Sequence, residues 1–94
     1  MDADVETLEL GRVVATRGVL AALAEAEQGY LEFLARHVTG DWGEVDSFDA
    51  EQNELALREG YRILSAYTLS TGVKIWIITE ADRSATTILL PDEY

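Results

Sequence analysis

Only one side chain in these 94 residues titrates near neutrality unaided, that of His37. Cleaving RNA without a metal takes a base for the 2′-hydroxyl, an acid for the leaving oxygen and cations on the phosphate. His37 has the chemistry of the acid or the base, and Arg62, Lys74 and Arg83 that of the cations. Ser65, Tyr67 and Thr87 carry hydroxyls that orient a phosphate. Beside this reading stands a structural one. In it His37 hydrogen-bonds at a helix end, Arg62 pairs with Glu80, and Lys74 is a solvated strand residue. The charge of the chain favours the structural reading, because phosphate binding is driven by positive surface.

A second group has the opposite character. Asp41, Glu44, Asp46, Asp49, Glu51 and Glu54 fall within one segment that contains no Lys or Arg. Oxygen ligands suit a divalent cation, but this spacing is not that of a calcium loop, and no metal is expected. The segment reads instead as a solvated acidic face or a docking surface for a basic protein. The whole chain agrees: eighteen acidic residues against seven basic ones give a net charge of −11. Nucleic-acid binders present the reverse balance. The expected partner is therefore a basic protein, or the nucleic-acid-binding groove of a host complex. RNA is a partner only if the His37 reading holds. No sequence motif for a cofactor is present, and none is expected.

Length and composition bound the scaffold. Ninety-four residues with 48% apolar content make one domain with one modest core. Residues 1–7 are acidic and are expected to be frayed. No apolar run is long enough to span a bilayer, the start lacks the features of a signal peptide, and there is no cysteine; a cytoplasmic setting is the default.

The elements that must position these groups are legible from periodicity. The last third alternates β-branched and aromatic residues in three runs, Tyr61–Leu69, Val73–Thr79 and Ala85–Leu90. Ser70-Thr71-Gly72 suits a three-residue hairpin loop, pairing Tyr67 with Ile75 and Ser65 with Ile77. Arg62, Leu64, Ala66 and Thr68 then share the other face with Lys74, Trp76, Ile78 and Glu80. If Thr79 pairs with Ala85, Thr87 and Leu89 join the face of Ile75. That register separates Arg62 and Lys74 from Ser65, Tyr67 and Thr87. Upstream, Thr16 caps a helix carrying Val19, Leu20, Leu23 and Ala24, interrupted near Gly29. A second helix, Tyr30 to Val38, places Leu31, Leu34 and Val38 on its stripe and ends at Gly40. Trp42 pins a turn, and a third helix runs from Ser47 or Asp49 to Glu59 on the anchors Leu55 and Leu57. Val13-Val14 favours a short first strand. The expectation is an α+β domain: about three N-terminal helices on a C-terminal three- to four-stranded antiparallel meander. Both tryptophans read as packing residues. Strand edges ending at Leu89-Leu90-Pro91 make a homodimer an option.

RHVTGDWGEVD (Arg36–Asp46), SAY (Ser65–Tyr67), GVKIWIITEADRS (Gly72–Ser84) and TTILLPDEY (Thr86–Tyr94) carry a resemblance. They resemble a family of small proteins found on plasmids and other bacterial mobile elements, some labelled as a type I restriction subunit. The resemblance covers roughly residues 8–94. Arg17 and Gly29-Tyr30 stand where that family is expected to have prolines, which bears on helix starts. It implies a mobile-element setting and supplies no activity. A looser resemblance, of fold alone, is to barnase, colicin and RelE-like ribonucleases, which also set N-terminal helices on an antiparallel sheet.

Overall fold

The computed structural model describes residues 8–94; the expected fraying of 1–7 lies outside them. In chain order the elements are β1 (Arg12–Ala15), α1 (Arg17–Ala26), α2 (Leu31–Val38), α3 (Ser47–Glu59), β2 (Ile63–Thr68), β3 (Lys74–Thr79) and β4 (Ala85–Leu89). A short 3-10 turn, Pro91–Glu93, follows. Among the described residues this is an α+β fold with three helices and a four-stranded sheet, ordered β1-β4-β3-β2. β2, β3 and β4 form the antiparallel meander, but β1 runs parallel to β4, so the sheet is mixed. The direction of β1 follows from its connection: α1 and α2 lead away over one face before the chain returns.

The first hairpin has the register expected, with Tyr67 opposite Ile75 and Gly72 in the left-handed region at φ 92°. The second is shifted by one residue. Thr79 pairs with Thr86, not Ala85, so Thr86 and Ile88 take the inner face and Thr87 and Leu89 the outer. Arg83 causes the shift. It adopts φ 61° and tightens the turn, its N–H donating to Glu80 O at 2.9 Å.

The inner face is covered by α1 and α2. Val19, Leu23, Phe33 and Leu34 close over Tyr67, Leu69, Ile75, Ile77 and Ile88. The stripes differ from expectation. Leu20, Ala24 and Leu31 face outward, and α2 buries Phe33, Leu34 and His37. Helix α1 stops at Ala26, with Glu27 rather than Gly29 turning left-handed. Helix α3 lies beside β2 and buries Asn53 and Ala56, leaving Leu55 and Leu57 half-buried. Its few contacts suffice because Asn53 does a strand's job. Its amide donates to Leu64 O at 2.8 Å and its oxygen accepts from Leu64 N–H at 3.3 Å. Farther along the same edge, Ala66 donates to Trp42 O and accepts from Glu44 N–H. A Cβ on Gly43 would lie 2.0 Å from Ala66 O, so only glycine permits that approach. The β2 edge is thus covered at Leu64 and Ala66, which removes a template for unwanted strand pairing.

Candidate functional site

Three places gather the polar and charged groups. The first is buried. His37 projects from α2 into the sheet with no accessible surface. Its Nδ1 lies 2.6 Å from Ser65 Oγ and its Nε2 2.9 Å from Thr79 Oγ1. Thr79 Oγ1 is 2.8 Å from Thr86 Oγ1, which donates to Leu10 O at 2.8 Å. A carbonyl only accepts, so Thr86 spends its one proton there and must accept from Thr79. Thr79 in turn accepts from Nε2–H, and Ser65 donates to the bare Nδ1. The direction of the whole chain, and the tautomer, follow from that last carbonyl. Burial pushes the imidazole pKa down to about 4, helped by the positive Arg83 nearby. His37 is therefore neutral at pH 7.

This decides the fate of the seven residues singled out for RNA chemistry. His37, Ser65 and Tyr67 are together but sealed beneath the helices. Tyr67 donates to Asp41 O at 2.6 Å, and Arg36 lies over its ring at 4.5 Å. Arg62, Lys74 and Thr87 sit on the outer face. Lys74 pairs with Glu44 at 3.2 Å. Arg83 pairs with no acid among the described residues; its guanidinium donates to Tyr61 O at 2.6 Å and Ala56 O at 2.9 Å, closing the end of α3. Arg62 bonds the Tyr94 hydroxyl rather than Glu80. Buried in this way, the His37 imidazole lies out of reach of a bound RNA.

The second place is the acidic segment, which the structure divides by task. Asp41 pairs with Arg36 at 2.7 Å and accepts from Gly43 N–H, which hold its carboxyl below the usual range. Glu44 is likewise lowered, by Thr68 and Lys74. Asp46 caps α3 by accepting from Asp49 N–H at 2.8 Å. Glu54 accepts from the Trp42 indole at 2.9 Å, fixing that buried ring. Asp49 and Glu51 are exposed and bond no described residue through their side chains. Among the described residues no group of three or more His, Asp and Glu side chains could hold a metal.

The third place is a groove of about 320 Å³ on the outer face, the face that the helices α1 and α2 leave uncovered. Leu64 and Trp76 form its floor; Asp49, Gln52 and Asn53 of α3 form one wall; Arg62 and Tyr94 form the other. The turn Pro91–Glu93 delivers Tyr94, whose ring meets Trp76 edge-on at 5.8 Å. Glu93 anchors that turn, accepting from Thr16 Oγ1 at 2.5 Å and from Leu90 N–H at 2.8 Å. Trp76 is thus both a packing residue and a groove surface. No family model, curated protein or solved structure matches the chain.

Proposed function

We propose that this chain is an acidic interaction domain of a bacterial mobile element, an inhibitor that occupies a basic groove otherwise holding nucleic acid in a host nuclease or defence complex. The observation that carries this reading is the poor internal neutralisation of its charge. Among the described residues two ion pairs form, Arg36–Asp41 and Lys74–Glu44, in a chain of net charge −11. Arg83 is occupied by carbonyls and Arg62 by a phenol. Such an excess repels nucleic acid and attracts cationic surfaces. Asp49 and Glu51, both exposed on α3, are the carboxylates of the acidic segment left for a partner.

The test uses a fluorescently labelled oligolysine peptide and anisotropy at two salt concentrations. Binding is expected to weaken with salt, and by about tenfold or more in the double variant Asp49→Lys, Glu51→Lys. The matched charge change Glu9→Lys, Glu25→Lys, at exposed positions elsewhere, is expected to have a much smaller effect. Equal losses in the two variants would mean that net charge acts without a site and would defeat the proposal.

A further inference from the structure

We infer that the outer-face groove is the seat of an apolar anchor, a large aliphatic or aromatic side chain flanked by basic residues, presented by the partner; this rests on the acidic-interaction reading. The groove exists because α1 and α2 cover only the inner face. Leu64 and Trp76, on the other side of the same strands, are left half-buried as an apolar floor. At about 320 Å³ it lies near the lower end of the range for ligand sites, about 300–1,000 Å³, the size of a side chain or two.

Its surroundings say what kind of group enters. The Tyr94 ring stands edge-on to Trp76, making an aromatic corner that favours another large apolar group. Arg62 is engaged by Tyr94, its guanidinium carbon 5.0 Å from the ring centre, so that its charge is held on the aromatic wall. On the opposite wall Asp49 supplies a carboxylate, the charge complement of a cationic flank on a chain of net charge −11. An anchor in a pocket beside steering charges is the anatomy of an interface hot spot.

The experiment titrates the full 15N-labelled chain with two acetylated, amidated hexapeptides, Lys-Lys-Phe-Leu-Lys-Lys and Lys-Lys-Ser-Ser-Lys-Lys. The first is expected to bind at least tenfold more tightly and to move the Trp76 indole N–H resonance. The Trp42 indole, held by Glu54, should stay in place. Leu64→Asp should abolish the preference for the first peptide and leave binding of the second intact. Should that variant not fold, Tyr94→Ser, at a residue 67% exposed, should reduce the preference in the same sense. Equal affinities with an unmoved Trp76 signal would overturn the groove while leaving the acidic reading standing. No binding of either peptide would remove the acidic reading and the inference with it.

Discussion

Acidification should destabilise this protein through one imidazole. In the unfolded chain His37 has an ordinary pKa near 6.5; in the fold it is held to about 4. Above pH 6.5 both states are neutral there, and the residue adds no pH dependence. As the pH falls below 6.5, the unfolded chain takes up a proton that the folded one refuses, so stability drops. From pH 7 to pH 5 the loss works out at about 2 kcal/mol, and it levels off at about 3 kcal/mol once both states are protonated below pH 4. A domain of this size has a total stability of about 5–10 kcal/mol, so the loss is readily measured. Urea unfolding at pH 7, 6 and 5, followed by circular dichroism, would measure it. His37→Gln supplies the reference, because an amide offers a donor and an acceptor but does not titrate. Lowered carboxylates such as Asp41 and Glu44 also lose stabilisation as pH falls through their folded pKa, but that contribution is common to both proteins. The wild type should therefore lose about 2 kcal/mol more than the variant between pH 7 and 5. Parallel pH profiles would refute the assignment of a neutral, buried imidazole.

Two further outcomes concern the β2 edge. Asn53→Ala removes both bonds to the Leu64 backbone and should cost about 1–3 kcal/mol in urea unfolding, with increased self-association by light scattering as the edge opens. Gly60→Ala and Gly43→Ala form a calibrated pair. At Gly60, with φ 83° and open space around it, only the backbone cost of about 1 kcal/mol applies, whereas at Gly43 the new Cβ would strike Ala66 O and the loss should be clearly larger. Similar melting temperatures for the two variants would contradict the close approach of 42–44 to β2.

Much of the scaffold was legible because it is written in local chemistry. Thr16 accepts from Val19 N–H as an N-cap, Gly60 turns left-handed after α3, and Ser70-Thr71-Gly72 sets the first hairpin. The second hairpin was not legible, because its register depends on a non-glycine residue, Arg83, adopting positive φ. Its side chain spans to the carbonyls of Ala56 in α3 and Tyr61 just beyond it, and that long-range support has no local signal. The role of His37 was visible as an alternative, but its depth was not: an imidazole on α2 reads the same whether two hydroxyls or solvent await it. Asn53 gave a signal that went unread, a polar residue three before Ala56 on the only buried stripe of α3. The groove depends on Tyr94 folding back over Trp76, which no periodicity encodes.

The parallel pairing of β1 with β4 also sets an order of assembly. The bond from Thr86 to Leu10 joins residues 76 positions apart, and that from Thr16 to Glu93 residues 77 apart. The meander and the helices close over shorter loops and can form while β1 waits for its neighbour. Docking of β1 is then the late, entropically expensive step. During synthesis β1 has no strand partner until β4 follows it. In that interval Val13 and Val14 are an unpaired segment, and the chain's strong like-charge repulsion holds neighbouring copies apart while the sheet is incomplete.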